Sequence, residues 1–206
     1  MAFLRGLGYY CDVDYQTRKQ PILVIIRGIP GSGKSYLSLR LQAALGGSKD
    51  VEVLDPDAIN QQSADYQELV AKLRSDTVDE KLYPYRYLRA KAYDAIEAGK
   101  ILIWNQPFIS FDGITKTIER LMTHAKENGK DLSVIVVEVE LNKDLARARV
   151  ADRKQQGGHG PSEGTLERFM RDYKSFAGNG YKTITVDGAS DVSRSTEMIL
   201  AAVQDS

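Results

Sequence analysis

Gly28-Ile29-Pro30-Gly31-Ser32-Gly33-Lys34-Ser35 is the stretch on which the reading of this chain turns. Two glycines separated by four residues, followed by lysine and a hydroxyl residue, satisfy the P-loop pattern. Glycines let successive backbone N–H groups curl around phosphate oxygens, and the helix that follows adds its positive end to the same anion. Lys34 is placed to reach the β- and γ-phosphates, and Ser35 supplies the neutral hard oxygen that Mg²⁺ accepts beside phosphate and water. The whole run from Gly28 to Ser35 is therefore expected to bind a nucleoside triphosphate.

Average glycine usage gives a chain of this length roughly a 1% chance of meeting the pattern by accident, and the flanks lower it further. Upstream, Ile22-Leu23-Val24-Ile25-Ile26 is a short β-branched run of the kind buried in parallel sheets; downstream, Tyr36 to Leu41 begins a helical pattern. Strand, loop and helix stand in the order the motif requires. Further strand-like runs occur at Val51 to Leu54, Ile101 to Trp104, Val134 to Val139 and Thr183 to Val186. Helical spacing fills the intervals, over 34–45, 65–75, 79–98, 111–128, 142–155, 163–176 and 190–203. This alternation predicts an α/β P-loop NTPase fold of three layers, nucleoside-kinase-like, with a central, mainly parallel five-stranded sheet and helices on both faces.

The 206 residues suit one domain, read as an N-terminal extension at 1–20 and a single P-loop kinase domain at 21–206. Lys plus Arg balances Asp plus Glu at 28 each, so no global field draws the chain to nucleic acid or to an anionic membrane, and local basic clusters must carry anion binding. With one cysteine, Cys11, no apolar run near 18 residues and no signal-peptide pattern, the cytoplasm is the expected compartment and a membrane partner is not expected. Cys11 reads as a bystander thiol and His124 as a surface histidine. Two histidines and one cysteine without ligand spacing do not make a zinc site.

A P-loop does not name a reaction. Asn142-Lys143-Asp144-Leu145 comes near the base-reading motif of GTP switches but has leucine where the acid is needed, and the third strand ends in Asn105-Gln106 rather than in the paired acids of motor ATPases. The positive signal is Asp55-Pro56-Asp57, two carboxylates at the C-terminal edge of the sheet, where ligands of open α/β sheets bind. Phosphoryl transfer to an alcohol needs a carboxylate to take or orient the hydroxyl proton, and cations to absorb developing charge. Asp57 is the expected base, with helix capping as its alternative; Asp55 holds a magnesium-bound water, replaces the missing acid of the third strand, or caps the next helix.

Cations come from Arg149 and Arg153, which share a helix face before the glycine-rich stretch Gln155 to Ser162. That stretch, at about 153–164 and containing His159, reads as a lid over phosphates. Arg153 is the expected catalytic cation beside Lys34, Arg149 a nucleotide contact, and Arg147 either a third cation or a salt-bridge partner of Asp144. Arg86 and Arg89, among Tyr83, Tyr85, Tyr87 and Tyr93, line a polar acceptor site or simply pack; Asp55 and Asn105 are grouped with them as acceptor contacts, and Ser35 with Asp55 as metal contacts.

The P-loop, the segment Leu54-Asp55-Pro56-Asp57-Ala58-Ile59 running on to Tyr66, and the later Leu82-Tyr83-Pro84-Tyr85 resemble the zeta-toxin family of P-loop kinases, and more loosely the polynucleotide-kinase-like small-molecule kinases. The resemblance covers about residues 22–104, with a weaker match at 147–163. It implies ATP and Mg²⁺ as cofactors, Asp57 as general base, a UDP-N-acetylglucosamine-type sugar as acceptor and an antitoxin protein as partner. The chain departs from the family pattern at Ser63-Ala64, where the family has His-Pro, and at Trp104 and Gln106, where it has an acid and a threonine. Polynucleotide or nucleoside kinase activity, or a nucleotide-binding module without catalysis, are the alternatives.

Overall fold

A computed structural model of the protein describes residues 20–206; Cys11 and nearly all of the expected N-terminal extension lie outside the described residues. Five strands form one sheet: β1 (Ile22–Arg27), β2 (Val51–Leu54), β3 (Ile101–Asn105), β4 (Ser133–Glu140) and β5 (Lys182–Asp187), in the order β2-β3-β1-β4-β5. Every pairing is parallel. The helices are α1 (Lys34–Ala44), α2 (Ala64–Ser75), α3 (Tyr83–Glu97), α4 (Phe111–Glu127), α5 (Lys143–Gln155), α6 (Glu163–Asp172) and α7 (Val192–Gln204).

All six residues of β1 and all five of β3 are buried, because helices cover both faces of the sheet and leave no solvated side for polar residues. The strand period of two sends Leu23, Ile25, Leu102 and Trp104 against Leu88 and Ile96 of α3 and Ile118 and Leu121 of α4. Ile22, Val24, Ile26 and Ile103 pack on the other face against Leu37 and Leu41 of α1 and Ile199 and Val203 of α7. A third cluster joins Ile29 of the P-loop to Ala146 and Val150 of α5 and Leu166 and Met170 of α6. The two helices flanking the expected lid thus rest on the phosphate loop.

The main departure from the periodicity is at 163–176. Helix α6 stops at Asp172 and Tyr173 is extended, because the chain turns there to bring Ser175 Oγ and the Phe176 N–H onto the buried Glu138 carboxylate, at 2.5 and 2.8 Å. The segment expected as one helix from 79 begins as a short turn, Glu80–Leu82, capped by Asp79, and becomes α-helical only at Tyr83. His124 is half-buried rather than a free surface histidine: its ring stacks on Tyr93 at 3.8 Å between centroids and bonds Glu97 at 2.9 Å.

Candidate active site

The phosphate loop leaves β1 at the middle of the sheet. Gly31 has φ +86°, and a Cβ there would lie 2.6 Å from the Ala146 carbonyl oxygen, so both the backbone conformation and the packing on α5 require glycine. Helix α1 starts behind left-handed Gly33 with no side-chain cap and no acid in its first turn. By contrast, α4, α5, α6 and α7 are capped by Ser110, Asn142, Ser162 and Asp191. The N-terminal N–H groups of α1 have no side chain accepting from them, which is the arrangement an anion exploits.

Lys34 is the first residue of that helix and only 9% exposed; its Nζ donates to the Ile29 carbonyl at 3.0 Å. Burial lowers its pKa to about 8, assisted by Arg153 and opposed by Asp55 and Asp57. A phosphate group beside it would restore the charge that burial disfavours.

In the parallel register Leu54 pairs with Trp104 and Ile26 with Asn105, so Asp55 and Asn105 emerge side by side next to the loop. Asp55 Oδ1 accepts from the Asp57 N–H at 2.9 Å and caps the turn Pro56–Ala58. Its Oδ2 accepts from Asn105 Nδ2 at 2.5 Å, and the same amide donates to Ser35 Oγ at 3.1 Å. Asp55 is therefore the cap and also a neighbour of Ser35. Burial raises its pKa, and the bonds from Asp57 and Asn105 hold the rise back. Asp57 does not cap: it is exposed at the cleft, and its carboxylate accepts no hydrogen bond among the described residues.

These groups share one cleft of about 1290 Å³. The P-loop enters it through Pro30, Gly31, Gly33, Lys34 and Ser35, whereas Gly28, Ile29 and Ser32 stand behind, with Ile29 in the core. Arg149, Arg153 and the His159–Pro161 stretch line it as well, as do Arg86, Arg89, Trp104 and Asn105. All the residues expected at the site therefore belong to the cleft or to the loop that shapes it. Arg147 turns away into ion pairs with Asp144 at 2.7 Å and Glu167 at 2.6 Å, one of the two readings its spacing allowed.

Three features escaped the sequence reading. Arg120 of α4 lines the cleft beside Arg89; it sits in an ordinary amphipathic helix and carried no motif. Gly188 after β5 accepts from Arg149 Nη1 at 2.9 Å, and a Cβ there would meet the Ser32 carbonyl at 2.2 Å; the Asp187-Gly188 turn was its one visible sign. Third, Arg27, the residue before the loop, pairs with Glu138 in a fully buried ion pair. Its guanidinium also donates to the carbonyls of Phe108 at 2.9 Å and Lys174 at 3.0 Å and lies 4.4 Å from the Tyr173 ring centre. Phe108 is a cleft residue with φ +44°, so the pair fixes a strained piece of the cleft wall.

A phosphate loop at the middle of a 2-3-1-4-5 parallel sheet, with an uncapped helix, a buried lysine, carboxylates on the neighbouring strand edge and arginines opposite, defines a P-loop kinase. The family model described as zeta toxin matches residues 10–179, and the chain belongs to that family. No curated protein matches it. Among solved structures, a Chloroflexus aurantiacus j-10-fl protein classed as a kinase is 19% identical with a TM-score of 0.61, over 88% of this chain and 98% of that one. A gluconokinase from Sinorhizobium meliloti 1021 is 16% identical with a TM-score of 0.55, over 91% and 94%. A deoxyadenosine kinase from M. mycoides with bound dATP is 18% identical with a TM-score of 0.51, over 88% and 99%. These likenesses are of fold. Among the described residues no helix is long and apolar enough to cross a membrane.

Proposed function

We propose that this P-loop kinase transfers the γ-phosphoryl group of ATP, with Mg²⁺, to a hydroxyl of a small molecule, and that Asp57 is its general base. The observation that carries the reading is the Asp57 carboxylate: exposed in the cleft that holds Lys34, and accepting no hydrogen bond among the described residues. Asp57 takes the proton as the acceptor oxygen forms its bond to the γ-phosphorus, the bond from phosphorus to the bridging oxygen breaks, and ADP leaves. Lys34 and Arg153 offset the charge that develops on the transferring group. Arg149, held against Gly31 and Gly188, contacts the nucleotide, and the His159–Pro161 stretch covers it as a lid.

The residues fit a magnesium ion. Ser35 Oγ and Asp55 Oδ2 both accept from the same Asn105 Nδ2, so two hard oxygens lie together beside the phosphate loop. Ser35 and Asp55 would hold the ion or its water, and it would neutralise phosphate charge. The family supports a nucleotide sugar of the UDP-N-acetylglucosamine type as acceptor and an antitoxin as partner, though Trp104 and Gln106 reshape the acceptor wall relative to the family pattern. Incubating the chain with γ-labelled ATP and a panel of UDP-sugars, nucleosides and oligonucleotides tests the reading. A labelled sugar supports it, a labelled oligonucleotide replaces it with polynucleotide kinase activity, and binding without transfer refutes catalysis.

A further inference from the structure

Strand β3 and its continuation end in two amides that face opposite ways. Asn105 lies on the α1 side of the sheet, where its Nδ2 donates to Ser35 and Asp55. Trp104 and Gln106 are two apart and share the other face, and the Gln106 N–H prolongs the ladder by donating to the Ile26 carbonyl at 3.2 Å. The Trp104 indole is only 4% exposed, packed in the core with Leu88, Phe108 and Leu121, so its N–H is held in place. It donates to Gln106 Oε1 at 3.1 Å. An indole nitrogen donates and never accepts, so the oxygen end of the amide is bound to Trp104 and the nitrogen end is left over. Gln106 Nε2 has no hydrogen-bond partner among the described residues and is not enclosed, and the residue lines the cleft together with Pro107, Phe108 and Ile109.

We propose that Gln106 is a specificity-determining residue that donates from Nε2 to a carbonyl oxygen of the acceptor molecule, and that Trp104 is the positioning residue that fixes the amide for it. A glutamine side chain can present either its oxygen or its nitrogen to a ligand by a half-turn of the amide. Here the half-turn would set N–H against N–H and strand the buried indole donor, which disfavours the turned form by about tenfold or more. The cleft thus meets a fixed pair of N–H donors at this point. Pro107, Phe108 and Ile109 beside it carry no side-chain charge, so a neutral donor among apolar side chains matches the neutral carbonyl of an amide or lactam. An ammonium or amidinium finds no accepting atom on this amide. The compound phosphorylated is therefore one that carries a carbonyl group besides its hydroxyl, and a plain polyol leaves the amide unanswered. The inference rests on the kinase reading of the cleft for the acceptor's role, but the donor itself is tested without any transfer.

Trp104 is the chain's one tryptophan, so a ¹⁵N-labelled chain loaded with a non-hydrolysable ATP analogue and Mg²⁺ gives a single indole N–H signal in its ¹H–¹⁵N spectrum. Gln106→Met identifies the Gln106 NH₂ signals by their loss and should also shift the indole signal. Benzamide and benzamidinium are planar and of one shape; the first has a carbonyl oxygen and the second N–H donors alone. Benzamide, titrated to its solubility limit, should move the Gln106 NH₂ signals, and Gln106→Met should weaken its binding about tenfold. Gln106→Glu, which puts an accepting oxygen in place of Nε2, should reverse the preference between the two probes. Trp104→Phe frees the amide to turn and should lower the benzamide-to-benzamidinium affinity ratio about threefold or more, a ratio that a merely structural indole would leave unchanged. The proposal is overturned if the indole signal is the same in the parent and Gln106→Met, if benzamide leaves the Gln106 signals unmoved or binds the folded Gln106→Met chain equally well, or if the parent prefers benzamidinium. Benzamide binding at Gln106 while no hydroxyl compound becomes labelled would leave this donor standing and remove the proposed reaction instead.

Discussion

The two ends of the cleft are built by different means. The proposed donor end is made from eight consecutive residues, Gly28 to Ser35, in the pattern that cradles phosphate with backbone N–H groups. The proposed acceptor end is assembled from α3, the segment after β3 and α4, and is pinned by a buried ion pair whose members, Arg27 and Glu138, lie 111 residues apart. A site made of local backbone shows itself as a motif, whereas one made of distant side chains exists only once the sheet has formed. Perturbing the ends separately should therefore separate nucleotide binding from acceptor handling.

The largest effect is expected where the ends meet. Asp57→Asn should cut turnover by about 10³-fold, within the usual range for a general base, with ATP affinity within threefold of the parent. Lys34→Met should lose turnover and nucleotide affinity together. Steady-state kinetics beside nucleotide titration distinguishes the two patterns.

Next comes the pin of the acceptor wall. Arg27→Met leaves Glu138 buried without its cation and should cost about 3–5 kcal/mol in denaturant unfolding. Adding Glu138→Leu should recover most of that stability, since a hydrophobic pair of similar volume removes the unpaired charge. The carbonyl of Phe108 stays without its donor in both variants, so acceptor KM should remain raised in the double variant while ATP affinity does not change. Equal acceptor KM in parent and double variant would mean that the wall needs no pin.

A smaller effect belongs to the donor end and depends on pH. Lys34 has its pKa lowered from 10.5 to about 8 by burial, so the cost of burying its charge is felt below pH 8 and is relieved as pH rises from 8 towards 10.5. A bound triphosphate raises that pKa again. Between the free and bound values nucleotide binding takes up a proton, and affinity falls by up to about tenfold per pH unit. Calorimetry at pH 8.5 in buffers of different ionisation enthalpy should show the uptake, and Lys34→Met should abolish it. The smallest effect is expected from Arg147→Ala, which removes only solvent-exposed ion pairs with Asp144 and Glu167; turnover within twofold of the parent would confirm that this arginine stands outside the site.

All five strands, the layer arrangement and the phosphate loop were legible because local hydrophobic period and glycine placement determine them. Asp55 and Asp57 were legible as a pair, but their division of labour was not: which carboxylate caps and which faces the cleft depends on the turn Pro56–Ala58, visible only in three dimensions. The end of α6 was misread because its stop is imposed by Glu138 rather than by a residue of its own. Arg120 carried no local pattern and Gly188 only the Asp187-Gly188 turn, since each acquires meaning from a partner on another element, Arg89 and Arg149 respectively. Arg27 was hidden by its place at the end of an apolar strand, and its neutralising partner comes from the neighbouring strand β4.

The most direct test is single-turnover transfer from γ-labelled ATP to the best acceptor of the panel, run for the parent and for Asp57→Asn with both fully loaded with nucleotide. The account predicts rapid labelling of the acceptor by the parent and a rate about 10³-fold lower for the variant at equal nucleotide occupancy; equal single-turnover rates would contradict it.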